Sequence, residues 1–357
     1  MRILTVGDPH IQSKHLDDAK LFTDRLRDVA LREKPDIIVL LGDILHTHEK
    51  LHTQALNHAR SLFMKMAEIA PTYVLVGNHD YINNSQRLSD NHWMVSMREL
   101  PNVTIVDRVI EVLHGAEHRF IMLPYVPDGQ FHEVLDESQL EWRTSTAVFG
   151  HQLFDGAKMG AIVAKGVEEW NGPPLCISGH IHDKQRFDHL HYVGASFAHA
   201  FGDTAEKTIA IYNFQQSGME YVDVSLDMPR LITLRGVVGD SDTLIAKILK
   251  RNNSDNNRYR LVLTGEPSEV VTLKKSALYK QLQSSTVKLV IRTAAREVEN
   301  DTKEVGVVKR FNEVLYTLLH SDTEKLIAKA ALEGSLDDGD GFQECDRVIR
   351  PRIRIVD

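Results

Sequence analysis

The amino-acid sequence predicts an α/β fold, and three features of the chain lead to this prediction. Short, uniformly apolar runs alternate with segments whose apolar residues recur at helical spacing. Polar motifs directly follow several of these runs, as expected where parallel strands end at one edge of a sheet. Asp8 and Asp43 are 35 positions apart, and so are Asp43 and Asn78. This interval is about the length of one strand-helix-strand unit.

The first elements can be assigned in chain order. Residues 3–6 are an apolar run typical of a buried strand, and similar runs at 36–41 and 73–76 predict the second and third strands. The segment 52–69 has the apolar spacing of a helix. Between the first two strands, a helix is predicted by the apolar residues Ala19, Phe22, Leu26, Val29 and Ala30. Strands this uniformly apolar predict a sheet that is covered on both faces.

Later segments predict three domains. Further strand-sized runs lie at 103–106, 120–123, 147–149, 175–177 and 209–212. The pattern changes near Met228-Pro229, so we expect a first domain over 1–228. Residues 229–300 alternate strands and helices and predict a small α+β cap domain. Residues 301–357 predict a helical tail, whose apolar stripe would either pack on the chain's own domains or dock a partner.

Charge is divided unevenly along the chain, whose formal net charge is −8. Residues 229–300 hold 13 Lys and Arg against 7 Asp and Glu, whereas residues 1–228 hold 20 against 31. A net charge of −8 argues against indiscriminate nucleic-acid binding by the whole surface. The basic segment is either a solvated surface or a contact surface for a phosphate backbone.

Cysteine usage and hydropathy predict the compartment. The chain has two cysteines, Cys176 and Cys345, which excludes a disulfide framework and a cysteine zinc cluster. No signal peptide and no run of 18 apolar residues is visible in the sequence. We therefore expect a soluble protein of a reducing, cytosolic setting.

Seven side chains that can bind metal ions lie in five clusters at the ends of apolar runs. They are Asp8, His10, Asp43, Asn78, His151, His180 and His182. A carboxylate such as Asp43 can bridge two cations, and two adjacent cations can clamp both ends of an in-line phosphoryl displacement. A single His-x-His would be weak evidence, but the ordered set predicts a site for two metal ions.

At these residues the sequence resembles the calcineurin-like metallophosphoesterase superfamily. Its signature has the order Asp-x-His, Gly-Asp, Gly-Asn-His-Asp/Glu, His and Gly-His-x-His, and all five blocks are present. The segment Gly42-Asp43-Ile44-Leu45-His46 is similar to the form found in the SbcD branch, the nuclease subunit of DNA double-strand-break repair complexes. The compact tail is similar to that of bacteriophage versions, which implies the cytoplasm of a bacterium or of an infected host. This resemblance implies a two-sheet, β-sandwich-like core flanked by helices.

The resemblance also implies roles for individual residues. One ion would be bound by Asp8, His10, Asp43 and His182, and the other by Asp43, Asn78, His151 and His180. The implied metal is two Mn²⁺ per chain. Donor chemistry alone leaves the metal open, because imidazoles suit zinc, iron or nickel whereas carboxylates and an amide suit manganese or magnesium. His79 would contact the transition state or protonate the leaving oxygen, His46 would lie near the substrate phosphate, and Asp80 would orient the ring of His79.

The function implied by the resemblance is that of a manganese-dependent DNA nuclease. It would act as a 3′ to 5′ exonuclease and single-strand endonuclease, together with an SbcC-like coiled-coil ATPase and as a homodimer. The segment 88–100, with Trp93, Met94 and Met97, is a candidate dimer helix, although a buried intramolecular helix explains these residues equally well. Two alternatives are a small-molecule phosphodiesterase or protein phosphatase of the same superfamily, and a scaffold without catalysis.

Overall fold

The computed structural model describes residues 1–293 except for 49, 116, 161, 204–205 and 253–256. The chain divides into two compact units. The first unit comprises Met1–His199 and Asp203–Arg230, and the second comprises Ala200–Gly202 and the chain from Leu231 onward. The predicted helical tail at 301–357 lies outside the described residues. None of the helices in the described ranges is both long and apolar enough to cross a membrane.

The first unit contains fourteen strands and three α-helices among its described residues. In chain order the strands are β1 (Arg2–Val6), β2 (Ile37–Leu40), β3 (Thr72–Leu75), β4 (Val103–Val106), β5 (Ile110–His114), β6 (His118–Met122), β7 (Ala147–Gly150), β8 (Lys158–Met159), β9 (Ile162–Val163), β10 (Leu175–Ser178), β11 (Gln185–Arg186), β12 (Leu190–Tyr192), β13 (Ile209–Gln215) and β14 (Gly218–Val224). The helices are α1 (Leu16–Glu33), α2 (Thr53–Ala67) and α3 (Phe131–Glu137). Short 3₁₀ segments occur at Ser13–His15, Asn78–Asp80, Trp93–Met97 and Trp142–Thr144.

Two six-stranded sheets form the centre of this unit. The first has the order β14-β13-β1-β2-β3-β4, and its strands β1 to β4 are parallel. The second has the order β11-β12-β10-β7-β6-β5, and its strands β12, β10, β7 and β6 are parallel. Antiparallel strands close the edges, with β13 and β14 on the first sheet and β5 and β11 on the second.

Three apolar layers explain why the strands are apolar on both faces. Between the sheets, Val39 and Leu75 of the first share a buried cluster with Phe120, Phe149 and Ile177 of the second. On the outer face of the first sheet, a second cluster joins its strands to α1 and α2. On the outer face of the second sheet, a third cluster joins its strands to α3. The predicted α/β class and the two-sheet, β-sandwich-like core flanked by helices are therefore confirmed.

Helix α1 illustrates how local sequence sets the element boundaries. Asp17 and Asp18 lie in its first turn, where negative charge interacts favourably with the helix dipole and stabilises the helix. The helix ends at Lys34, which has a left-handed backbone (φ 49°) and donates its N–H to the carbonyl of Ala30. The buried face of α1 consists of the residues whose spacing predicted it, together with Thr23.

The segment 88–100 differs from the predicted dimer helix. The structure has only a short 3₁₀ segment there, Trp93–Met97. Met94 and Met97 are buried in the cluster beneath α1 and α2, and Trp93 packs against the same cluster. These apolar side chains are therefore used within the chain's own core. Homodimerisation itself stays a prediction.

The second unit is a three-stranded parallel sheet with helices between the strands. Its elements are β15 (Leu231–Val237), α4 (Ser241–Asn252), β16 (Arg258–Gly265), α5 (Pro267–Lys275), α6 (Ala277–Gln283) and β17 (Lys288–Thr293), and the strand order is β15-β16-β17. Side chains of all three helices share one buried cluster with Tyr259, Leu261 and Leu263 of β16. The helices therefore cover one face of this sheet.

Candidate active site

All seven predicted ligands lie beyond the carboxyl ends of parallel strands in the first unit. The first sheet contributes Asp8 and His10 after β1, Asp43 after β2 and Asn78 after β3. The second sheet contributes His151 after β7, and His180 and His182 after β10. Parallel strands bring successive motifs to one edge, and the packing of the two sheets brings the two edges together.

One group of side chains is centred on His10. Its Nε2 lies 3.0 Å from Nε2 of His182 and 3.5 Å from Oδ2 of Asp43. Asp8, His10 and His182 each offer a ligand atom within 4.8 Å of the others. Oδ2 of Asp8 and Nδ1 of His10 are buried and have no hydrogen-bond partner within the described part of the chain.

A second group is centred on His151. Its Nε2 lies 3.3 Å from Oδ1 of Asp43 and 3.1 Å from Oδ1 of Asn78. The same amide oxygen is 2.9 Å from Nδ1 of His180. Asp43 is thus close to both groups, through Oδ2 to His10 and through Oδ1 to His151.

The hydrogen-bond chemistry of the second group fits a bound cation. Nδ1 of His151 is 2.6 Å from the carbonyl oxygen of Leu41, which can only accept, so Nδ1 donates. In the neutral ring, Nε2 then carries a lone pair that faces two more acceptors, the oxygens of Asp43 and Asn78. Acceptors that converge in this way need a positive charge between them, and neutral imidazole, carboxylate and amide oxygen are competent metal ligands.

The electrostatics of the buried site agree with this conclusion. Burial lowers the pKa of His10 well below its usual value, and burial together with the charge of His151 lowers the pKa of His180 to about 3. Both rings are therefore neutral, as ligands must be. Burial favours a raised pKa for Asp43, but His151 and His79 hold it well below the usual range. Burial favours a lowered pKa for His151, yet Asp43 and Asp8 raise it to about 9. The acceptors around Nε2 of His151 thus favour a positive charge, which either a proton on this ring or a bound cation can supply.

Four of the seven candidate ligands have a left-handed backbone. The φ angles are 44° for Asp8, 41° for His10, 49° for Asp43 and 76° for His180. Such conformations cost on the order of 1–3 kcal/mol each for a residue with a side chain and concentrate at functional sites. The turns after the strands are therefore shaped to aim these side chains inward.

Asp80 holds two of the ligand loops together. Its buried carboxylate accepts hydrogen bonds at 2.9–3.2 Å from the backbone N–H groups of Ile44, Leu45 and Gly77 and from the indole N–H of Trp93. Burial and, next, the charge of Asp43 raise the pKa of Asp80 to about 6. The loop after β2 is thereby fixed to the loop after β3.

His79 has a different partner from the one predicted. Its Nδ1 lies 2.9 Å from the carbonyl oxygen of His46, so this carbonyl, and not the carboxylate of Asp80, orients the ring. The backbone N–H of His79 donates to Oδ1 of Asp43 at 2.9 Å. The rings of His79 and His46 lie 4.9 Å and 5.3 Å from that of His10. His79 and His46 therefore both lie beside the candidate metal ligands, and neither side chain is fully buried.

The sequence pattern did not identify His199 as a residue of the site. Its Nε2 lies 2.9 Å from the backbone oxygen of Asp8, and its ring contacts those of His10 and His182 at 5.2 Å and 5.8 Å. Burial lowers the pKa of His199 to about 3, which keeps this ring neutral beside the ligands. His199 follows no strand directly and belongs to no paired motif, so only the chain's return toward β1 could have revealed it.

Comparisons with known proteins agree with this site. A family model described as calcineurin-like phosphoesterase matches residues 1–184. The chain is 36% identical over 342 residues to "Putative phosphoesterase 078R" of Invertebrate iridescent virus 3, covering 93% of this chain and 97% of that protein. It is 38% identical over 283 residues to "Putative phosphoesterase 244L" of Invertebrate iridescent virus 6, covering 77% and 98%. Among solved structures, it is similar to Yfce, a phosphoesterase from E. coli, with 14% identity, a TM-score of 0.33 and coverage of 64% of this chain and 94% of that one.

Proposed function

We propose that this chain, which belongs to the calcineurin-like phosphoesterase family and is thus a metal-binding phosphoester hydrolase, acts on DNA. In this proposal the protein is a manganese-dependent nuclease that cleaves phosphodiester bonds. It acts from 3′ to 5′ on DNA ends and endonucleolytically on single strands, as the similarity of its motifs to the SbcD branch implies.

The chain's own residues would divide the reaction between them. Asp8, His10, Asp43 and His182 would bind one divalent ion, and Asp43, Asn78, His151 and His180 the other. Such ions lower the pKa of water and offset the negative charge that develops on the phosphoryl oxygens.

His79 is the candidate group for the leaving oxygen. Its Nδ1–H is engaged by the carbonyl of His46, so Nε2 is left to face the leaving oxygen, and it would donate a hydrogen bond or a proton from the imidazolium form of the ring, in which both nitrogens carry hydrogen. His46, whose ring is parallel to that of His79 within 8°, would contact the substrate phosphate.

The observation that carries the DNA substrate is the charge on the sheet face of the second unit that the helices do not cover, here called the open face, on which Val262 is buried and Arg260 packs on Phe201. Side chains alternate along a strand, so the residues opposite the helix-covered face share the other one. Strand pairing places on that open face the five basic residues Arg235, Arg258, Arg260, Lys288 and Arg292. The three strands contain no Asp or Glu. A sheet face of this kind suits the phosphates of a nucleic-acid backbone better than a small phosphodiester.

Neutralising this face is expected to weaken DNA processing and leave small substrates unaffected. A triple variant, Arg235→Gln, Lys288→Gln and Arg292→Gln, changes three exposed residues of the open face. Losing three phosphate contacts should raise the KM for duplex DNA about tenfold or more. It should also reduce, by about three, the steepness with which the logarithm of the DNA-binding constant falls with the logarithm of salt concentration. Hydrolysis of bis(p-nitrophenyl) phosphate should stay the same.

The matched control neutralises three exposed lysines on the helices of the same unit, Lys250, Lys274 and Lys280. If the control and the open-face variant affect DNA equally, general charge and not this face is responsible. If neither affects DNA, the alternative of a small-molecule phosphodiesterase or protein phosphatase is favoured.

The metal, polarity and partner of the proposed nuclease need separate assays. End-labelled single- and double-stranded DNA would be incubated with protein and manganese, magnesium or a chelator. We expect 3′ to 5′ digestion with manganese and none with the chelator. An SbcC-like coiled-coil ATPase, binding through the 301–357 tail, is the proposed partner, and deletion of the tail should abolish its co-purification. Digestion that persists in the chelator would contradict the metal-dependent mechanism.

A further inference from the structure

Three imidazole rings are stacked at the rim of the active site. The ring of His79 is nearly parallel to two others, that of His46 at a centroid distance of 5.9 Å and that of His48 at 4.7 Å. The planes of His48 and His79 differ by only 19°. His48 is partly buried, and neither the metal ligands nor the family motif accounts for it.

The loops that carry these rings are joined by two reciprocal hydrogen bonds. Nδ1 of His79 donates to the carbonyl of His46, and Nδ1 of His48 lies 3.1 Å from the carbonyl of Tyr81. Since a carbonyl oxygen only accepts, Nδ1 of His48 is the donor. Tyr81 is fully buried and forms a β-bridge with His92, so the acceptor is held by a rigid part of the fold. This bond and the stacking of the two rings together hold His48 against His79.

We propose that His48 is a positioning residue for the reaction, holding the ring of His79 in the orientation that meets the leaving oxygen. The carbonyl of His46 fixes one edge of the His79 ring but does not prevent the ring from tilting about that bond. The parallel ring of His48 covers one side and prevents the tilt. This inference rests on the proposed phosphodiesterase function, in which His79 contacts the leaving oxygen.

The contribution of His48 should depend on the leaving group. An alkoxide, such as the sugar oxygen released from DNA, is strongly basic and needs a well-placed hydrogen-bond or proton donor as the P–O bond breaks. A p-nitrophenolate is a weak base and needs that donor much less. A misplaced His79 should therefore slow cleavage of an oligonucleotide and hardly affect bis(p-nitrophenyl) phosphate.

The test compares His48→Ala with His48→Phe, which keeps a flat ring in the stack. The matched control is His52→Ala, which removes an exposed imidazole at the start of α2. For His48→Ala we expect kcat on an oligonucleotide to fall about tenfold with KM within about twofold, since small misplacements of a reacting group are costly. His48→Phe should recover to within about threefold of the parent chain. His52→Ala should match the parent.

A double variant separates a positioning role from an independent one. If His48 acts through His79, His48→Ala combined with His79→Ala should be no slower than His79→Ala alone. Any of four results would overturn the inference: additive losses in the double variant, equal losses on both substrates, an unchanged kcat in His48→Ala, or no recovery in His48→Phe. If the parent chain cleaves neither substrate, the proposed function fails instead, so the two failures are distinguishable. Thermal unfolding of each variant verifies that it is folded.

Discussion

Replacing Asp43 with Asn is expected to reduce phosphodiester hydrolysis by about 10³-fold or more. The two oxygens of Asp43 approach both groups, His10 at 3.5 Å and His151 at 3.3 Å. The substitution preserves shape and removes the negative charge that two cations would share. Metal ions contribute several kcal/mol of transition-state stabilisation, and about 1.4 kcal/mol corresponds to a factor of ten in rate.

The loss should appear in metal content as well as in rate. Elemental analysis after dialysis against manganese should give two ions for the parent chain and fewer for Asp43→Asn. The control is Asp17→Asn, whose carboxylate is 93% exposed on α1 and should affect neither quantity. An Asp43→Asn chain that kept two ions and the parent kcat would exclude Asp43 as the bridging residue. Unfolding midpoints in chelator distinguish loss of metal from loss of fold.

The convergence of the candidate ligands could be predicted from sequence because of where they lie in the chain. Asp8, Asp43, Asn78, His151 and His180 each follow an apolar strand by only a few residues. In parallel sheets that position alone places a side chain at a shared edge. No knowledge of the loops was required, and the structure brings all of these residues together.

Contacts that depend on loop geometry could not be predicted in this way. The resemblance implies that Asp80 orients the ring of His79, but the 3₁₀ turn at Asn78–Asp80 directs the carboxylate of Asp80 to the backbone of the loop after β2. The stacking of His48 on His79 depends on the same turn. Sequence spacing does not determine the direction of side chains in irregular segments.

Apolar spacing was also insufficient where a segment is short. Trp93, Met94 and Met97 have spacing compatible with a helix face, yet only a 3₁₀ turn forms between His92 and Arg98. The backbone N–H of Arg98 donates to the carbonyl of Val95 in the 3₁₀ pattern, and the Arg98 side chain pairs with Asp90 and Asp107, which fixes the end of this short turn. In the second unit, the sequence does mark where a short helix begins: Pro267 and the Glu266–Glu269 capping box lie at the start of α5, Pro267–Lys275.

Gly77→Ala is the second substitution from which we expect a large effect, a loss of activity of about 10²-fold or more and about 1–3 kcal/mol of stability. The φ angle of Gly77 is −83°, which any residue can adopt, so the glycine is required for space alone. A Cβ atom there would overlap the backbone nitrogen and Oδ1 of Asp43, neither of which can move without displacing the carboxylate between the two groups.

Gly172→Ala is the matched control, because a Cβ atom at Gly172 would meet no atom within 4 Å. It should change the free energy of unfolding by less than about 0.5 kcal/mol, as measured by urea denaturation. Comparable kinetics in the two variants would mean that the turn at Gly77 yields without moving Asp43. The expected difference between them would instead show that the close approach of two backbone turns, and not only the identity of the seven side chains, sets the geometry in which phosphoester hydrolysis takes place.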